Sequence, residues 1–229
     1  LSTINIEANS LFKQAMIGMQ YILKQTGPMT MAASLGTGFL KTSGDLETPD
    51  IQFHIQPFSA KSPAEGMHPF SAFTASVLQL RPESAGYLEL TSANMNDHPK
   101  IVPNYLATTT DQTTIVKGIQ IARKIAQFEP LKSHVTEEFE PGKSVAFDDE
   151  AATLEWARNT SVTIYHPTGT CKMGSDPMAV VDHRLRVHGL EGLRVADASI
   201  MPTITSGNTN APTIMIGERV SDLILEDAV

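Results

Sequence analysis

Between residues 7 and 24 the apolar side chains Leu11, Phe12, Ala15, Met16, Met19, Ile22 and Leu23 return every three or four positions. That is the period of an amphipathic helix, with Asn9 or Ser10 placed to cap it and Gly27-Pro28 to end it. A different period follows. In DIQFHIQPF (50–58), Ile51, Phe53 and Ile55 alternate with Gln52, His54 and Gln56, which predicts a half-buried strand. Residues 59–70 read as a loop rich in Ser, Pro, Gly and Lys. FTASVLQLR (73–81) and GYLELTS (86–92) predict two more strands, joined by PESA and expected to pair antiparallel, and PKIVPNYL is again extended. Ile115, Ile119, Ile121, Ala122 and Ile125 restore helical spacing over 109–127, with Asp111 near the start. DDEAATLEWARN predicts a further helix from Asp148, its acids in the first turn where the helix dipole favours them.

The tail has its own pattern. Val162, Thr163, Ile164 and Tyr165 predict a strand that Pro167, Gly169 and Gly174 stop, leaving His166 at its end. LRVADASIMP (193–202) predicts a strand ending on Asp197. TITSGNTNAPTIMIGERVSDLILE then reads as a polar loop entering a helix, with Pro212 in the first turn and Ile216, Val220, Leu223 and Ile224 on the buried face. The fold class is α+β, an antiparallel sheet with flanking helices. Residues 1–30 form a helical lead-in, 31–160 an α+β body and 161–229 a distinct C-terminal segment.

Charge narrows the partners. With 229 residues and a net charge of −8, the chain offers no basic field for a nucleic-acid backbone. Cys171 is the single cysteine, so no intrachain disulfide forms, as suits a reducing, cytoplasmic setting. No apolar run approaches the roughly 20 residues of a membrane span and no leader pattern opens the chain, which leaves peripheral membrane association open. There is no G-x-S-x-G elbow, no H-E-x-x-H, no Walker loop and no dinucleotide fingerprint; SLGTGFLK lacks the spacing. His183 and His188 fall in a polar turn and read as solvated.

Three features of the tail remain as candidate chemistry: His166, the Asp197-Ala198-Ser199 turn, and Gly207-Asn208-Thr209-Asn210 before the last helix. Each has a plain alternative. A lone histidine can be a hydrogen-bonded structural residue, and the other two are ordinary turn and capping material.

In order, YHPTGTCKMG (165–174), LRVADASIMP (193–202) and GNTNAPTIMIGER (207–219) resemble the C-terminal part of the glucose-methanol-choline flavoprotein oxidoreductases. GPMT, PDIQFHIQPF, LRPESAGYLELTS and IVPNYL resemble that family's substrate domain in the same order. The resemblance implies FAD as cofactor and an alcohol CH–OH group as the site of oxidation. It makes His166 the catalytic base and Asn208, six positions after Pro202, the second active-site residue. It places Tyr165, Asp197, Ala198, Thr209, Asn210 and Ala211 against FAD. Residues 31–160 would then bind substrate, and 161–229 would complete an FAD domain. Family members are about twice this length or more and begin with a Rossmann-type unit. The implied partners are a small alcohol and the N-terminal FAD-binding portion of the same enzyme.

The chemistry suits these residue types. Imidazole titrates near neutrality and can take up a hydroxyl proton, whereas an Asn amide can donate to a developing alkoxide but cannot act as the base. A helix starting near Pro212 would present its positive end to an electron-rich flavin edge. Two other readings stand beside this one: a non-catalytic substrate- or partner-binding fragment, and a hydroxynitrile lyase of the same family. IMPTITSGN resembles the choline and aliphatic alcohol dehydrogenase branch. A quaternary ammonium substrate would call for an aromatic cage, for which Tyr165, Phe53, Phe58, Phe70 and Trp156 are candidates in type.

Overall fold

Strands need ladder partners, and the chain supplies them in two places. In the computed structural model, which describes residues 3–32, 34–60 and 66–228, β1 (Gly36–Leu40), β2 (Ile51–Gln56) and β3 (Thr74–Gln79) form an antiparallel sheet in that order. A separate pair joins β4 (Tyr87–Glu89) to β5 (Lys100–Val102). The helices are α1 (Ile4–Glu7), α2 (Leu11–Lys24), α3 (Thr109–Ile125), α4 (Glu150–Thr160) and α5 (Asn210–Asp227). The α+β class and most element positions are as the periodicities predict. Among the described residues no helix is long and apolar enough to cross a membrane.

The chain divides into two compact units, Leu1–Gln79 with Thr113–Ala157 and Leu80–Gln112 with Arg158–Val229. In the first, β2 buries Ile51 and Phe53 in register with β3, where Phe53 faces Val77. Gln52 is buried as well and Ile55 is exposed, so the predicted alternation is not kept. Helix α3 reaches this sheet at Gly118, where a Cβ would stand 2.5 Å from Val77 Cγ1 and 3.6 Å from Ile51 Cδ1. Only a glycine allows that approach. Asn5 in α1 is buried, and its amide donates to the carbonyls of Ser59 and His68, both at 2.8 Å, while its Oδ1 accepts from Ser59 N. Every polar atom of the buried amide is therefore used, which offsets its desolvation.

Ser10 caps α2 by accepting from Lys13 N, and Gln25 ends it in the left-handed region. Its periodic apolar face is uncovered in this chain. Leu11 is 84% exposed, Phe12 76%, and Met16, Met19, Ile22 and Leu23 are exposed as well. Period predicts amphipathicity but does not name the surface that covers it.

The second unit has its own core. Val181, Leu185, Ile200 and Met201 pack with Ile216, Val220 and Leu223 of α5, the face the spacing predicts, although Ile224 is exposed. The Asp182 carboxylate accepts from Arg184 N, Arg186 N and Arg186 Nε at 2.8–2.9 Å, closing the turn that delivers Leu185 to this core. Arg184 bridges Asp227 at 2.7 Å and Glu226 at 3.1 Å, and Arg194 also pairs with Asp227, so cations hold the negative end of α5.

Four further expectations change. The strand β1 was hidden in GTGFL, whose two glycines carry no pattern. β4 pairs with β5 and not with β3, because the buried Asp111 carboxylate takes Glu83 N at 2.9 Å and Ser84 N at 2.8 Å and so turns the intervening loop. Gly86 then fits flush against β5, where a Cβ would stand 2.0 Å from Val102 O. Residues 161–165 form exposed irregular backbone, since Tyr165 has φ 64 and cannot continue a ladder. Residues 193–202 give a single bridge, Arg186 to Arg194, and then a 3-10 turn at Ala198–Ile200 that Asp197 caps through Ser199 N at 2.7 Å.

Replacing Asp111 by Ala strands two loop N–H groups and should cost roughly 2–4 kcal/mol in urea denaturation, with Asp111→Asn losing about half as much. For Asp182, burial pushes the carboxyl up, but hydrogen bonds from Arg186 and Arg184 outweigh it and hold the group at about 2 rather than 3.8. A lowered carboxyl stabilises the fold fully above its unfolded value and loses that contribution as pH falls toward 2. Asp182→Asn should therefore flatten the fall in stability between about pH 4 and pH 2, and an unchanged acid limb would rule this carboxylate out as its source.

Candidate active site

Two short segments of the second unit are laced together by backbone hydrogen bonds. Cys171 N donates to Ser199 O at 2.9 Å and Met173 N to Ile200 O at 2.7 Å, which fixes the 166–174 loop beside the 3-10 turn at Ala198–Ile200. Gly169 has φ 86, and a Cβ there would lie 3.3 Å from Met201 O. At the head of the loop, Thr163 Oγ1 accepts from Tyr165 N, and the left-handed Tyr165 swings the chain into His166. Pro167 then restricts His166 to extended backbone. The ring is aimed by a bend and a proline where the residue pattern had implied a strand end.

The other wall is the loop before α5. Arg81 Nε donates to Ser206 Oγ at 3.0 Å, and Gly207 takes φ 106, a conformation that favours glycine. Asn208 and Thr209 follow directly. Asn208 Nδ2 lies 2.8 Å from His166 Nε2, and Thr209 Oγ1 lies 2.9 Å from His166 Nδ1. Both ring nitrogens are thus engaged by consecutive residues, and His166 itself is half-buried.

The remaining candidates fall around this pair in different ways. Asn210 and Ala211 are exposed in the first turn of α5, and Tyr165, next to His166, is 75% exposed. Asp197 and Ala198 lie in the 3-10 turn, with the Asp197 carboxylate capping it. The Thr209 hydroxyl is turned to the histidine and makes no cap to its own helix. First-turn N–H groups of an 18-residue helix therefore lack a side-chain cap from the N-cap residue. A Cβ built on Gly207 would meet no atom within 4 Å, so the junction is open. A positive helix end that its N-cap side chain does not cap, an open junction and an adjacent imidazole–amide pair form a donor set that fits the electron-rich edge of a flat flavin ring.

Among the aromatic candidates, Phe53 is buried in β2, Phe70 stacks on His68 at 5.1 Å between ring centroids, and Trp156 is half-buried in α4. Their packing accounts for them. Among the described residues no group of three or more His, Cys, Asp or Glu is placed to hold a metal ion. His188 is spent on its own fold, its Nε2–H donating to Gly174 O at 3.0 Å. The Thr209–His166 contact carries no sequence motif; a threonine at the N-cap whose hydroxyl is diverted from capping becomes visible only in three dimensions.

Residues 82–217 match the family model described as GMC oxidoreductase, in its C-terminal form. The chain is 41% identical to the alcohol dehydrogenase [acceptor] of Pseudomonas putida over 95% of its own length and 39% of that protein's. It is also 41% identical to the mitochondrial choline dehydrogenase of Homo sapiens, over 95% of this chain and 36% of the relative. The chain thus spans well under half the length of the curated relatives it matches. Among solved structures, pyridoxine 4-oxidase from Mesorbium loti superposes with a TM-score of 0.74 at 28% identity, covering 83% of this chain and 37% of that one. A formate oxidase shares the fold at a TM-score of 0.84 and 23% identity over 98% of this chain and 43% of that one.

Proposed function

This chain belongs to the GMC oxidoreductase family, and we propose that it is the C-terminal portion of an FAD-dependent enzyme that oxidises the CH–OH group of a small alcohol. The observation that carries the reading is the His166–Asn208 contact, an imidazole and an amide sharing one spot at 2.8 Å. When bound, FAD supplies the acceptor for the hydride that leaves the alcohol carbon. Everything else falls to this chain. A substrate hydroxyl entering beside Nε2 displaces the amide from the ring's lone pair and donates its proton there. Its oxygen accepts from Asn208 Nδ2, so the charge that grows on that oxygen is met by a donor already in place. The backbone bonds at Cys171 and Met173 hold the imidazole in this position before substrate arrives.

Residues Tyr165, Asp197, Ala198, Asn210 and Ala211, with the backbone of Thr209, are the ones that would hold the cofactor. The rest of the cofactor site belongs to an N-terminal FAD-binding portion. The bare apolar face of α2, where Leu11, Phe12, Ile22 and Leu23 are exposed, supports this. A choline-like or aliphatic alcohol is the substrate class, by similarity to the alcohol and choline dehydrogenases.

In the complete enzyme with FAD bound, His166→Ala should slow flavin reduction by at least ~100-fold without releasing FAD, and Asn208→Ala by about 10-fold. Stopped-flow absorbance reads both. An unchanged reduction rate for His166→Ala would remove it as the base. Substrate turnover with no flavin bleaching in the wild type would favour the lyase reading instead.

A further inference from the structure

We infer that Thr209 is a positioning residue that fixes the proton of His166 on Nδ1 and so leaves Nε2 as the basic nitrogen. The inference rests on His166 being the base of the proposed reaction. An amide nitrogen donates and cannot accept, so the 2.8 Å contact from Asn208 Nδ2 requires a lone pair on Nε2. The single proton of the neutral ring then sits on Nδ1, 2.9 Å from Thr209 Oγ1, which accepts it. The opposite tautomer would set Nε2–H against the amide N–H groups, two donors facing each other.

Thr209 is built to hold that acceptor still. It is 8% exposed, at the N-cap of α5, and its carbonyl accepts from Thr213 N at 3.0 Å and Thr213 Oγ1 at 2.7 Å. Its hydroxyl is not spent on the helix, where a capping threonine would ordinarily use it. The imidazole is therefore anchored through one nitrogen to the start of a long helix while the other nitrogen faces Asn208. As in other sites where the far nitrogen of a histidine sets the role of the near one, the partner on Nδ1 decides which atom does the chemistry.

The test uses the complete FAD-bound enzyme labelled with [15N]histidine, the His166 signals being identified by their loss in His166→Gln. The ring-nitrogen shifts of the wild type should show a protonated Nδ1 and a bare Nε2. Thr209→Val, which keeps the shape and removes the acceptor, should move both shifts toward the mixed-tautomer average. It should also slow flavin reduction on the order of fivefold, the scale of one net hydrogen bond, and Thr209→Ser should restore both readouts. A protonated Nε2 in the wild type would overturn the inference, as would a Thr209→Val enzyme with unchanged shifts. The two readings fail separately. Loss of rate in His166→Ala with the wrong tautomer sinks only the role of Thr209, whereas an unimpaired His166→Ala sinks the base assignment whatever the tautomer.

Discussion

The imidazole of His166 is held from both sides, and the proposed proton transfer depends on this double contact. One nitrogen is tied to a buried threonine at the head of α5, the other meets an exposed amide. The rest of the second unit serves this arrangement: the core of Val181, Leu185, Ile200 and Met201 seats α5, and the backbone bonds at Cys171 and Met173 seat the histidine loop.

The anchoring at the far end of α5 follows the same logic. Arg184 and Arg194 clasp Asp227, and Asp182 closes the turn that presents Arg184 and Leu185 together. A helix whose N-cap threonine contacts His166 is thereby fixed at its end by ion pairs and along its length by Ile216, Val220 and Leu223. Exposed ion pairs contribute little energy singly. Here they share residues with the turn that feeds the core, so their geometric effect exceeds their individual strength.

The first unit shows the reverse condition, with good local structure and unfinished burial. Helix α2 is capped at both ends and its apolar residues keep strict helical spacing, yet Leu11, Phe12, Ile22 and Leu23 face outward. Hydrophobic surface on this scale gains stability only when another body removes it from water. That is consistent with a chain spanning 36–39% of the length of relatives built as larger enzymes.

Residue pattern alone determined α2 to α5, the position of β2, the burial of Ile216, Val220 and Leu223 on α5 and the ordered motifs around His166 and Asn208. These depend on spacing within a few neighbours, and spacing is what a sequence records. Tertiary structure decided the pairing of β4 with β5, because a buried Asp111 twenty-odd residues away redirects the loop between strands. It turned the expected strand before His166 into an exposed bend, since Tyr165 takes φ 64 and cannot continue a ladder. It also decided which atoms of the histidine are engaged. The bond between Thr209 and Nδ1 joins residues 43 positions apart, and no local pattern can distinguish a threonine that caps its helix from one that turns its hydroxyl to a distant ring.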